Sequence, residues 1–225
     1  MTAKAATSSR KREDDRAERL RLGRAHLRRV DPTLARLMDR FPDYDPRGWM
    51  RELPPMDLHG ALLFQVVGQQ LSLYVTRAII GRIHALFGGR FPSPEEMVRL
   101  SPEDLRATGL SRRKVATLKD LAERFADGRL NAETLSNAPD EEVLSELTKV
   151  PGIGAWTAQG ALIIALQRQD VVMPGDLALR KAVQKVYGLD HIPSPDEVLT
   201  IAQKWRPYRS LATSYLFAAA YGGSD

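Results

Sequence analysis

Helix starts punctuate this chain so regularly that they fix its fold class. Ser-Pro-acid triplets occur at "SPEEMVRL" from Ser93, "SPEDLRATG" from Ser101 and "SPDEVLTIAQKW" from Ser194. The serine accepts a hydrogen bond from a first-turn amide. Proline suits the first helical position, whose N–H would go unpaired anyway, and the carboxylate faces the positive end of the helix dipole. Ser93 and Glu96 also have capping-box spacing. Gly88-Gly89, Gly128 and Gly188 follow helical patterns and read as C-terminal stops. No segment shows the apolar/polar alternation of a half-buried strand. The sequence therefore predicts an all-α fold of roughly nine or ten helices. Core helices are expected over 57–69, 72–87 and 155–167, with a bend at "GQQLS", Gly68 to Ser72.

Composition narrows the function classes. A chain of 225 residues can bury a sizeable core, and no apolar run reaches the ~20 residues of a membrane span. Its opening has no signal-peptide pattern, so no membrane partner is expected. There is no cysteine, which excludes disulfides, thiolate zinc sites and cysteine-ligated iron–sulfur clusters and points to a cytoplasmic home. The net charge of +5 is unevenly spread: residues 1–30 hold ten Lys/Arg against four Asp/Glu, which leaves about −1 for the rest. Residues 1–30 thus read as a basic, flexible arm ahead of a helical core over 31–225. Either the arm is attracted to phosphates or it is a solvated terminus.

In "LTKVPGIGAWTAQ" one helix ends near Lys149, turns through Pro151-Gly152-Ile153-Gly154 and enters a second. The hairpin spans about 142–167. Gly152 and Gly154 admit positive φ and close approach of another chain, while Ile153 anchors the turn. Unpaired amides at the second helix's start suit a phosphate oxygen. The plain alternative is an ordinary αα-corner. Asp176, between Pro174-Gly175 and "LALRKAVQKVYG", is well suited to cap a helix.

Taken together, "VPGIGAWTA", "DVVMPGDLALRKAV", "VVGQQLS", "GLSRRKVATLKDLA" and "QKWRPYRSLATSYLF" resemble, in order, segments of the helix-hairpin-helix DNA glycosylases, most closely the 3-methyladenine DNA glycosylase II family. The resemblance runs from about residue 55 to 222. It implies a helix-hairpin-helix glycosylase fold of two helical lobes with the active-site cleft between them. About fifty residues precede the matching region without a strand pattern, so the α/β N-terminal domain of some members is expected to be missing.

The resemblance also implies roles. Asp176 would be the catalytic carboxylate, compatible with a capping role. Trp156 would be the platform for a flipped base, Phe217 a second pocket aromatic, and Gly160 a position where some relatives carry tyrosine, which implies a wider, less selective pocket. Core packing is the alternative for both aromatics. Gln69, Gln70 and Leu71 match the loop carrying the DNA wedge, with Gln70 or Leu71 as the wedge, unless Leu71 is buried at a helix break. Gly152, Ile153 and Gly154 would grip a backbone phosphate through main-chain amides, with Arg112, Arg113 and Lys114 as further phosphate contacts or a solvated face. The carbonyls of Thr148, Val150 and Ile153 match those that hold an alkali cation, Na⁺ or K⁺, in the superfamily; catalysis would need no cofactor. Strand-cleaving relatives carry lysine where this chain has Trp156, so no lyase activity is implied. The expected partner is double-stranded DNA containing alkylated bases, bound by a monomer that is cytoplasmic and nucleoid-associated. The rival reading is a non-catalytic DNA-binding or damage-sensing module, against which a carboxylate at 176 and an indole at 156 both argue.

Overall fold

A computed structural model describes residues 2–50 and 53–221, with the backbone alone for 2–14 and Trp49. Every α-helix, 3-10 turn and connecting turn described belongs to a helical architecture, and no strand occurs among the described residues. The chain divides into two compact units, Met50–Arg168 and a second formed by Met1–Trp49 with Gln169–Asp225.

The second unit opens with α1 (Thr2–Val30) and α2 (Pro32–Asp39). The basic segment 1–30, expected as a flexible arm, is thus helical from Thr2 on, consistent with its richness in Ala, Arg and Glu, all strong helix formers. Its later half is core. Leu27 is fully buried, and Arg24 donates from Nε to the Tyr215 hydroxyl (3.0 Å) and from Nη2 to the Tyr44 carbonyl (2.6 Å). Removing residues 1–30 would therefore strip packing as well as charge.

Met50–Arg168 contains α3 (Leu58–Gly68), α4 (Leu73–Leu86), α5 (Pro94–Arg99), α6 (Pro102–Ala107), α7 (Arg112–Ala126), α8 (Ala132–Asn137), α9 (Asp140–Thr148) and α10 (Ala155–Ile164). Helix α3 is apolar on nearly every face because α4, α7 and α10 all pack against it. Ser93, Ser101 and Ser111 cap α5, α6 and α7, and the capping box of Ser93 with Glu96 is formed in full. The expected bend at Gly68–Ser72 is a break: α3 ends, Gln70 adopts φ +58, and Ser72 caps α4.

Two histidines are sealed in this unit. His59 lies edge-on to Phe125 (5.6 Å) and His84 edge-on to Phe91 (4.3 Å). Burial lowers both pKa values, and for His59 it outweighs the opposing pull of Asp57 and Glu95. Both rings are therefore neutral in the fold, whereas the unfolded chain protonates them near its ordinary value of 6.5. Stability should fall as pH drops below about 6.5, because the unfolded state then binds more protons. Urea midpoints at pH 7.5 and 5.5 should show this loss, and His59→Phe should make it shallower. An equal acid loss in the variant would contradict the assignment.

The chain then returns to the second unit through α11 (Leu177–Tyr187), α12 (Pro195–Ala202) and α13 (Arg209–Tyr221), with a 3-10 turn at Gln203–Trp205. Ser194 forms a full capping box with Glu197, and Gly188 ends α11 in the left-handed conformation. Within this unit α13 packs on α1, α2 and α11. Thirteen α-helices stand among the described residues, more than the nine or ten expected, partly because six-residue helices such as α8 are too short for a periodic signal.

Candidate active site

The hairpin is built as its glycines require. Helix α9 ends at Thr148, Leu147, Val150 and Ile153 insert into the core, and α10 starts after Gly154. Gly152 has φ +92, and a Cβ there would lie 2.1 Å from Thr117 Oγ1, which itself donates to the Pro151 carbonyl (3.0 Å). The turn is thus clasped against α7. Gly154 caps α10 with extended backbone and no side-chain hydrogen bond, and a Cβ there would meet open space. The first-turn amides of α10 consequently have no side-chain cap and no acid beside them. Gly152→Ala should cost at least the ~1–2 kcal/mol of a left-handed L-residue plus the clash, while Gly154→Ala should melt like the wild type. Thermal melts decide this, and equal melting of the two variants would refute it.

Among the three expected wedge residues the structure separates one from two. Gln69 turns inward: its Nε2 donates to the Gly152 carbonyl (3.0 Å) and to Thr157 Oγ1 (2.9 Å), tying the loop to the hairpin. Gln70 and Leu71 are exposed, and an apolar strip of Leu73, Tyr74 and Val75 continues beside them. Leu71 is therefore not the buried residue of a helix break.

The basic start of α7 divides similarly. Arg112 and Arg113 are exposed, and Arg113 lies one turn before Thr117, on the hairpin side of the helix. Lys114, expected at a phosphate, is engaged internally. Its Nζ donates to the Val67 (2.7 Å) and Gln69 (2.8 Å) carbonyls, closing the end of α3, and desolvation lowers its pKa. A lysine next to two arginines gave no signal of that separate task.

On α10, Trp156 keeps 36% of its surface exposed, which is unusual for an indole so near a packed helix face. Gly160 follows one turn later on the same face and is buried. The expected widening at glycine is not a void: a Cβ on Gly160 would sit 2.4 Å from Gln65 Nε2, so the glutamine amide occupies that space. Gln65 was missed in sequence, although a lone polar residue in the apolar run "LLFQVVG" is the signal that could have found it.

In the other unit Asp176 is the N-cap of α11. Its Oδ1 accepts from the Leu179 amide (2.8 Å), and its own N–H donates to the Met173 carbonyl (3.0 Å). The helix start places positive partial charge beside the carboxylate and favours its anionic form. The preceding strand-like segment is pinned: Val171, Val172 and Met173 are buried, and Arg209 Nε holds Asp170 Oδ1 at 2.6 Å. The Val171 amide donates to Ser210 Oγ (3.0 Å). Phe217 is half-buried and stacks on Tyr221 with centroids 6.1 Å apart. Partial burial, and after it the charge of Asp176, push the Tyr221 hydroxyl pKa upward, which places Tyr221 in the field of that carboxylate.

Residues 64–207 match the model of the HhH-GPD superfamily of base excision DNA repair proteins. The chain belongs to that superfamily. It is 34% identical over 197 residues to DNA-3-methyladenine glycosylase 1 of Schizosaccharomyces pombe, covering 85% of this chain and 84% of the relative. DNA-3-methyladenine glycosylase 2 of Escherichia coli is 26% identical over 161 residues, covering 68% and 54%. A solved structure of the S. pombe 3-methyladenine DNA glycosylase in complex with abasic DNA superimposes with a TM-score of 0.80 at 32% identity, covering 87% of this chain and 95% of that one.

As a helix-hairpin-helix superfamily protein, the chain carries its expected groups in two sets. One set, within Met50–Arg168, joins the hairpin, the exposed Gln70 and Leu71, the start of α7, Trp156 and Gly160. The other, within the second unit, joins Asp176 and Phe217, to which the structure adds Tyr221.

Proposed function

We propose that this superfamily member is a monofunctional DNA glycosylase that extrudes alkylated bases from duplex DNA and hydrolyses their N-glycosidic bonds. The observation that carries the reading is the carboxylate of Asp176, fixed at a helix start by its own cap and by a pinned approach segment.

The hairpin amides and the arginines at 112 and 113 contact DNA phosphates, which positions the duplex without reading sequence. Gln70 and Leu71 fill the gap left by the extruded nucleotide, as apolar wedges do elsewhere. Unstacking costs a few kcal/mol and costs least for damaged pairs, a first source of selectivity. Trp156 receives the base; a π face against a cationic alkylpurine gains on the order of 1–3 kcal/mol from stacking and cation–π attraction. When the C1′–N bond breaks, its electron pair leaves with the base, whose positive charge it neutralises. The oxocarbenium-like sugar that remains is stabilised by Asp176, and an attacking water gives its proton to that carboxylate. The product is an abasic site. A tryptophan at 156 has no amine for a Schiff base, so strand cleavage does not follow.

The carbonyls of Thr148, Val150 and Ile153 offer neutral oxygens of the kind a hard alkali cation takes, and the Val150 carbonyl also accepts the Ile153 amide (3.0 Å). Na⁺ or K⁺ there would brace the turn and supply no chemistry. The protein works as a monomer in the compartment that holds the DNA; among the described residues no helix is long and apolar enough to cross a membrane.

The test is release of free bases from alkylated duplex DNA, identified chromatographically, with strand integrity followed in parallel. Release of alkylated purines with intact strands is expected. No release, or cleavage without alkali or heat, would defeat the reading. In the same assay Gly154→Ala should bind DNA more weakly than the wild type despite an intact fold.

A further inference from the structure

Gln65 stands in α3 with 8% of its surface exposed, surrounded by Leu63, Phe64, Val66 and Val67, all buried. None of the described residues hydrogen-bonds its side-chain amide. Folded proteins rarely retain so buried an amide without partners unless something else supplies them. Its placement points to that partner. Nε2 and Oε1 lie 2.4 and 2.9 Å from where a Cβ of Gly160 would be, so the amide rests on the bare face of α10. Trp156 is one turn earlier on that face, about 5.4 Å along the axis. A base stacked on that indole would extend its edge over Gly160, and the amide is the polar group waiting there.

We infer that Gln65 is the specificity-determining residue of the base pocket, reading the 6-amino group and N7 of an extruded adenine-type purine. The inference rests on the glycosylase reading above. A glutamine amide pairs with adenine in two parallel hydrogen bonds: its oxygen accepts from the 6-amino group and its nitrogen donates to N7. 3-Methyladenine keeps both partners. 7-Methylguanine offers an O6 acceptor where the amide oxygen needs a donor, and its N7 carries the methyl group. The amide therefore favours the first over the second. Gly160 is part of the device, since any larger residue there would evict Gln65 from its place.

The test uses the full chain and duplex DNA treated with dimethyl sulfate, which carries both lesions. Initial release rates of 3-methyladenine and 7-methylguanine are compared for wild type and Gln65→Met, a swap of similar length without the amide. The ratio of the two rates should fall by about tenfold or more, the size of one lost bidentate base contact. The melting temperature should stay near the wild-type value, and 7-methylguanine release should change little. Should Gln65→Met fail to fold, Gln65→Glu serves: it keeps an acceptor for the amino group but loses the donor to N7, and the same fall is expected. If wild type releases both bases and the ratio is unchanged in the folded variant, or both rates fall in parallel, Gln65 is structural and the inference alone is overturned. If wild type releases neither, the glycosylase reading falls and takes this one with it.

Discussion

Asp176→Asn should abolish excision of alkylated bases while leaving the protein folded and able to bind DNA. Asparagine caps helices as well as aspartate does, so the bond from the Leu179 amide survives and stability should change by no more than about 0.5 kcal/mol. What disappears is the charge. A neutral amide can neither stabilise the oxocarbenium-like sugar as an anion does nor take a proton from water, and losing one preorganised electrostatic contact costs about 10²–10³ in rate. Single-turnover release from alkylated duplex, set beside DNA affinity and thermal melts, separates these effects. An Asp176→Asn protein that excises bases at near wild-type rate would remove the catalytic assignment. A protein that fails to melt cooperatively would instead make residue 176 a structural cap.

The largest expected loss of stability lies elsewhere, at Asp31. This carboxylate is 1% exposed and caps α2, accepting from the Thr33 (3.0 Å) and Leu34 (3.2 Å) amides. It also accepts from the Tyr187 hydroxyl (2.5 Å) and the Trp205 indole N–H (2.9 Å), and pairs with Lys204 Nζ (3.1 Å). Burial pushes its pKa up, but the bonds from Tyr187, Trp205, Leu34 and Lys204 together hold it below 3.8. The stability it contributes is therefore present above that value and is lost as pH falls through the lower folded pKa. Asp31→Ala would leave the buried Trp205 N–H and the Tyr187 hydroxyl without their acceptor. Breaking a buried charged network from one side costs about 3–5 kcal/mol, a large share of the 5–15 kcal/mol that holds a domain folded. Asp31→Asn, which keeps the cap and an acceptor oxygen, should fall in between. Urea unfolding measures both, and an alanine variant within about 1 kcal/mol of wild type would show that the network is not what holds α2, α11 and the Trp205 turn together.

How much of this was legible beforehand differs by residue. Ser93, Ser101, Ser194 and Asp176 announce helix starts because a cap is made by neighbours in sequence, and the structure forms each one. The hairpin was legible for the same reason, since Gly152 and Gly154 encode a local backbone path. Asp31 was not, because its partners Tyr187, Lys204 and Trp205 lie more than 150 positions away. Gln69 and Lys114 misled for a related reason. Each has the polar end expected of a DNA contact, yet each spends it on carbonyls brought near by packing of α3, α7 and α10.

The sequence by itself determined the helical class, the helix starts, the hairpin turn and the identity of the acid and indole, since each rests on a few consecutive residues and short-range sterics or hydrogen bonds. Tertiary structure alone decided which polar side chains are spent inside the protein and which remain for a ligand. That allocation depends on distances between segments far apart in the chain, and an amide such as that of Gln65 acquires its meaning only when a glycine from another helix is packed beneath it.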